Sequence, residues 1–243
     1  MLTNHTSRSL PWLMLGARTL VFFVWQGVIA LLYFLSGSTT AWDASTAWWT
    51  VTATLTNLVC IFLLIRLFNA EGLRYRELFR FQRDSLKTDL LWVMGVILLS
   101  VPAAIFPNYF TARWLFGDSE AVLPLFFKPL PLWAILPTLV LFPITIALSE
   151  IPTYFGYVMP RLEKHAGTWV AVSLSALALA AQHVTLPLVF DMRFILWRLL
   201  MFLPFAFLLA ISLHWRPRLL PYLVIFHGLI DFNAAWMVYT VSI

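Results

Sequence analysis

The sequence predicts an all-α fold, a polytopic transmembrane helical bundle of about seven spans. Three observations carry this. Hydrophobic residues make up 61% of the 243 and charged residues only 11%, about half the charge of a soluble domain. Mean hydropathy is +0.86, and apolar runs near the ~20 residues needed to cross a bilayer recur along the chain. The loops between these runs alternate between rich and poor in Lys and Arg, the pattern that orients helices in a membrane.

The first run, 12–35, is long enough to span. No small-residue cleavage site follows a short apolar core, so no cleavable signal is expected. Loop 36–45 has no Lys or Arg. The second run, 46–69, holds Cys60, the single cysteine, which leaves no partner for an intrachain disulfide. Loop 70–88 is strongly basic, with Arg74, Arg76, Arg80, Arg83 and Lys87. Its stretch 74–87 sets Tyr75, Leu78, Phe79, Phe81 and Leu86 among the charges. It reads either as an amphipathic helix at the membrane surface or as a solvated loop.

The third run, 89–109, leads to loop 110–130, with only Arg113 and Lys128, where WLFGDSEAVLPLFF is apolar enough to dip back into the interface. The fourth run, 131–159, contains Pro152, which is expected to bend the helix and strip the Leu148 carbonyl of its usual donor. Loop 160–167 carries Arg161 and Lys164. The fifth run is 168–190, followed by Arg193 in loop 191–193. The sixth is 194–214, followed by Arg216 and Arg218 in loop 215–218. The seventh is 219–241.

The alternation predicts a cytoplasmic N-terminus and an external C-terminus. The chain reads as one integral membrane domain, 1–243, with its chemistry concentrated at about 131–241. A net charge of +5 does not indicate nucleic acid, because most basic residues lie in short loops where membrane orientation accounts for them. The lipid bilayer is the expected surrounding.

Four titratable residues are out of place. Nine of the 11 acidic residues lie in loops or at span ends, but Glu150 and Asp231 lie inside spans. His5 is in the tail, His165 in a loop and His214 at a span end, whereas His183 and His227 are inside spans. A charge at the bilayer centre costs roughly 2.5–3.5 kcal/mol on insertion scales. Glu150 stands ~16 Å from Arg161, and His227 ~14 Å from Arg218, at 1.5 Å per residue. His183 comes out deeper, ~24 Å beyond Gly167, and matches only if its span starts late or tilts. His227 and Asp231, at i and i+4, share a helix face. The four are expected to converge on a polar pocket, although intramembrane Glu and His also serve simply to hydrogen-bond helices together. Arg18, Arg66 and Arg198 are expected to snorkel to the interface. Gln182, beside His183, carries little signal, and Ser149, Ser173 and Ser175 read as helix-packing residues.

A carboxylate withdrawn from water can act as a base near neutral pH, and a neighbouring imidazole can share the proton. Glu150 and His183 then activate a water, while His227 and Asp231 position a substrate carbonyl or support its oxyanion. No cofactor is required. The same set of Glu150, His183, His227 and Asp231 also suits a divalent metal such as zinc, although no HExxH motif is present. No Ser or Cys has a nucleophile's context.

The third of these groups lies in HGLID, His227–Asp231, followed by Phe232 and Asn233. The second closes LAAQH, Leu179–His183. The first precedes GYVMPRLEK, Gly156–Lys164. In this order and placement the chain resembles the CPBP family of intramembrane proteases, which includes CAAX prenyl-protein endopeptidases and bacteriocin-processing proteins. That family carries EExxxR, FxxxH and HxxxN or HxxxD on separate spans. Alignment without a gap puts Glu150 at the first Glu, Ile151 at the second and Phe155 at the Arg. The resemblance covers roughly 131 to the C-terminus. It implies an intramembrane endopeptidase of a bacterial inner membrane acting on a membrane-associated peptide or protein. Catalysis would rest on Glu150 and His183, with His227 and Asp231 in support. The departures at Ile151 and Phe155 motivate an alternative, a catalytically inactive member of the same fold serving as an immunity or scaffolding protein. A proton-coupled carrier is a third reading.

Overall fold

The computed structural model describes residues 9–243; His5 lies outside them. Among the described residues there are helices and no strands, and seven helices are long and apolar enough to cross a membrane. The fold is the expected polytopic all-α bundle. In chain order α1 is Leu10–Leu35, α2 a short Ala41–Thr46, α3 Trp49–Ala70 and α4 Leu86–Phe116. Then come a single turn α5, Leu123–Phe126, and α6, Leu132–Ile151. The chain continues through a π-helical segment, Pro152–Val158, into α7, Met159–Ala166. The last three are α8, Thr168–Gln182, α9, Met192–Trp215, and α10, Leu220–Ser242.

At α6 the sequence expectation needs correction. Residues 160–167 are mostly not a loop, because the fourth span runs on to Ala166. Gly167, with φ 84°, makes the turn that no β-carbon favours. This also resolves the mismatch in depth. Counted from that turn, Glu150 lies 16 residues before Ala166 and His183 16 residues after Gly167, ~24 Å of helix each. Arg161 was the wrong reference mark: it sits inside the helix, bound to Glu71 and to the Tyr157 carbonyl, with its guanidinium over the Tyr157 ring.

Pro152 has no N–H for the Leu148 carbonyl, and its ring crowds that carbonyl. The helix answers with a wider π turn instead of ending. Two side chains make good the disrupted ladder. Tyr75 donates its hydroxyl to the Leu148 carbonyl, and Thr153 Oγ1 donates to the Ser149 carbonyl at 2.6 Å. The 70–85 connection is thus not an amphipathic helix: its arginines stay exposed, as in a solvated loop, while Tyr75, Leu78 and Phe79 pack against the core. It forms two 3-10 turns, Tyr75–Phe79 and Arg83–Ser85, and folds back so that Leu78 seats on Gly156, where a β-carbon would meet Leu78 Cδ1 at 2.9 Å.

α6 is the central helix, packed against α3 on one side and α10 on the other, while α9 packs against α4 and α8. α10 comes close to α6 at Gly228. A β-carbon there would stand 3.1 Å from Ala147 Cβ and 3.2 Å from the Pro143 carbonyl, so a small residue is required for the helices to meet. One end of the bundle gathers the basic connections, with Arg161 on Glu71 and Arg216 on Asp89 at 3.3 Å. At the other end Lys128 joins Asp43 at 2.7 Å, and Leu130 N–H donates to Ser242 Oγ at 3.0 Å.

Gly228→Val is expected to push α10 away from α6 and destabilise the protein by about 1–3 kcal/mol, the usual cost of overpacking. Unfolding of detergent-solubilised protein measures this; an unchanged midpoint would show that the two helices separate freely.

Candidate active site

Glu150 is the next-to-last residue of α6, fully buried and two residues before the proline. Its two oxygens keep different company. Oε2 accepts from Gln182 Nε2 at 2.5 Å and lies 3.5 Å from Arg18 Nη2. Oε1 faces two imidazoles, with His227 Nε2 at 2.9 Å and His183 Nε2 at 3.9 Å. One oxygen is fixed by donors and the other is turned to the histidines.

His183 follows the last residue of α8. Its Nδ1 lies 2.7 Å from the Leu179 carbonyl. A carbonyl only accepts, so Nδ1 carries the hydrogen; in the neutral tautomer Nε2 then presents its lone pair toward Glu150. Phe202 of α9 stacks on the imidazole with ring centroids 3.6 Å apart, which fixes its plane.

Asp231 stands one turn beyond His227 on α10, its Oδ2 3.2 Å from His227 Nε2. That nitrogen therefore lies between two carboxylates, yet neither contact has hydrogen-bond alignment. His227 Nδ1, Glu150 Oε1 and Asp231 Oδ2 are likewise buried without an aligned partner among the described residues. Orphaned polar atoms are rare in folded interiors. Several of them fall on this one cluster. All four residues singled out from the sequence, Glu150, His183, His227 and Asp231, meet here from three spans. Among the described residues, no group of three or more His, Cys, Asp or Glu is arranged to hold a metal ion.

Sequence reasoning missed the residues that hold the carboxylate. Arg18 does not snorkel: it is fully buried. Its Nε donates to Gln182 Oε1 at 2.6 Å, Nη1 to Ser149 Oγ at 2.5 Å and Nη2 to Asn57 Oδ1 at 2.9 Å. Ser149 in turn donates to Asn57 Oδ1 at 2.8 Å, and Tyr154 to Gln182 Oε1 at 3.2 Å. Gln182 and Ser149 are thus parts of the cluster's support. A signal was present. On α1 the buried residues Met14, Arg18, Phe22, Gln26 and Ala30 recur every four positions, so Arg18 lies on the inward stripe. Arg198 is a second correction. It is buried and donates to the carbonyls of His183 at 3.1 Å and Leu186 at 2.8 Å. Arg66 alone of the three is exposed. Ile151 and Phe155, where the resemblance places a Glu and an Arg, pack into the hydrophobic core. The cation beside Glu150 comes from α1 instead.

Next to the cluster is a cavity of about 220 Å³, with His183, His227 and Asp231 in its wall beside Trp49, Phe126 and Phe142. It reaches toward the 117–131 connection, where α5 lays Phe126 against Trp49 with centroids 4.6 Å apart. No family model, curated protein or solved structure matches this chain.

Arg18→Met is expected to cost about 3–5 kcal/mol, because it strands a buried carboxylate. Adding Glu150→Gln to it should recover much of the loss. Unfolding of the single and double variants in detergent reads this directly; equal losses would mean that Arg18 is not what compensates Glu150.

Proposed function

We propose that this protein is an intramembrane endopeptidase in which Glu150 and His183 activate a water. The observation that carries the reading is Glu150 Oε1 facing His183 Nε2 at 3.9 Å while His183 Nδ1 is engaged by the Leu179 carbonyl, which makes a pair of acceptors when the imidazole is neutral. Two acceptors at that separation suit a molecule that donates two hydrogens, and water is the simplest. Glu150 takes one proton as the water oxygen attacks the substrate carbonyl, and the proton passes on to the leaving amine. Arg18 and Gln182 hold Oε2, so that Oε1 is the basic oxygen. Asp231 orients His227, which is placed to support the oxyanion.

The substrate class is a peptide or protein at the membrane. With the basic connections on the cytoplasmic side of a bacterial inner membrane, the N-terminus is cytoplasmic and the cavity approaches the external half of the bilayer. One observation favours an inactive relative acting as an immunity or scaffolding protein. The Arg18–Asn57–Ser149–Gln182 network closes around Glu150 in the manner of a structural staple.

Glu150→Gln and His183→Ala, each folded, are expected to lower turnover by at least about 10²-fold. Proteomic comparison of membranes carrying wild type or Glu150→Gln would identify the substrate, and purified components would then give the rates. Unchanged turnover in both variants would leave the staple reading in possession.

A further inference from the structure

α4 and α9 pack side by side, and a groove of about 370 Å³ runs along their seam, apart from the cavity beside the histidines. Leu91, Gly95 and Leu99 form its α4 wall, four residues apart and so on one helix face. Leu208, Ile211 and Trp215 form the α9 wall. Leu91 and Trp215 are 75% and 63% exposed, so the groove faces outward, toward lipid. Gly95 gives it depth. A β-carbon there would meet nothing within 4 Å, so no neighbouring helix requires this glycine, unlike Gly156 and Gly228. A glycine inside a helix is destabilising relative to alanine, and what it provides here is an open floor. The mouth of the groove, by contrast, is basic. Lys87 stands one turn before Leu91 on the same face of α4, exposed and without an ion pair among the described residues. Arg216 follows the last residue of α9, and its guanidinium carbon lies 4.9 Å from the ring centre of Trp92, another lining residue. Arg216 Nη1 is 3.3 Å from Asp89 Oδ1. The other oxygen of that buried carboxylate accepts from Ser85 Oγ at 2.5 Å. Nε and Nη2 of Arg216 have no side-chain partner among the described residues.

We infer that this groove holds one acyl chain of an anionic phospholipid, whose phosphate is bound by Lys87 and Arg216. The two halves of a lipid are matched separately. The chain lies along the apolar seam, and the phosphate meets a guanidinium with donors to spare and an ammonium one turn away. Trp92 and Trp215 stand between them, at the level where tryptophan favours the membrane interface. Two cations against the one carboxylate of Asp89 leave the mouth positive. That favours an anionic headgroup over a zwitterionic one, which brings an ammonium of its own. A second copy of this chain, oriented alike in the same membrane, would bring its own basic end to the mouth, and like charges would oppose it. The inference rests on the membrane-spanning fold and not on the endopeptidase reading.

Native mass spectrometry of the full chain in detergent tests this, with phosphatidylglycerol or phosphatidylcholine of the same acyl chains as the added lipid. The first phosphatidylglycerol is expected to bind about ten-fold more tightly than the first phosphatidylcholine. Lys87→Gln narrows that margin to about three-fold or less. Gly95→Leu fills the groove from its floor and weakens the first phosphatidylglycerol by about ten-fold or more. Arg216→Gln alone would strand Asp89, so it is paired with Asp89→Asn, and this double variant also narrows the margin. Should the double variant fail to fold, Lys87→Gln and Gly95→Leu decide the matter, because the first side chain is exposed and the second position is open. Equal binding of the two lipids by the unaltered protein would overturn the inference, leaving only ordinary solvation by the bilayer. A margin that survives both Lys87→Gln and Gly95→Leu would overturn it as well. So would a dimer that Gly95→Leu breaks while lipid binding is unchanged, since the groove would then belong to a second copy.

Discussion

A carboxylate in the middle of an apolar bundle has to be matched, and Arg18 provides the match. The guanidinium reaches Glu150 across a contact with no exposed surface on either side. Such a pair gains little over apolar packing, but breaking it strands a charge. The surrounding order follows from that need. Arg18 has donors to spare after meeting Glu150, and Asn57, Ser149 and Gln182 accept from them. Those contacts tie α1, α3, α6 and α8 together at one level. They also make the two oxygens of Glu150 unequal, and that inequality is what allows one of them to face the histidines.

The proline beside Glu150 makes a second demand on the fold. A missing N–H leaves a carbonyl that hydrocarbon cannot satisfy. The π turn, Thr153 and the returning Tyr75 answer it locally. In this way the basic connection between α3 and α4 becomes part of the bundle. Leu78 can reach its seat because Gly156 has no side chain, just as α10 can bring His227 to Glu150 because Gly228 has none. Two glycines thus set how closely the outer pieces approach α6.

The family resemblance places an arginine one turn beyond Glu150, where this chain has Phe155. The structure has Phe155 in apolar core and a cation arriving from another helix. What the carboxylate requires is positive charge at its oxygen, and the helix that supplies it is free to differ. A short motif read along one span sees the loss at Phe155 but not the gain at Arg18. Arg198 was missed for the same reason: a hydropathy profile treats any arginine in a span as one that reaches for water, whichever way the helix face points.

By itself the sequence determined the number and order of the spans, the four intramembrane titratable residues, and the shared face of His227 and Asp231. These depend on composition along the helix axis and on a fixed angular step between residues, both of which are local. Tertiary structure decided which arginines turn inward, how Gln182, Asn57 and Ser149 hold the carboxylate, where the fourth span ends, and how the 70–85 connection is used. Those features depend on the rotation of each helix about its axis and on the identity of its neighbours. In a membrane that rotation is set by packing and by buried hydrogen bonds between distant segments, which no single stretch of sequence contains.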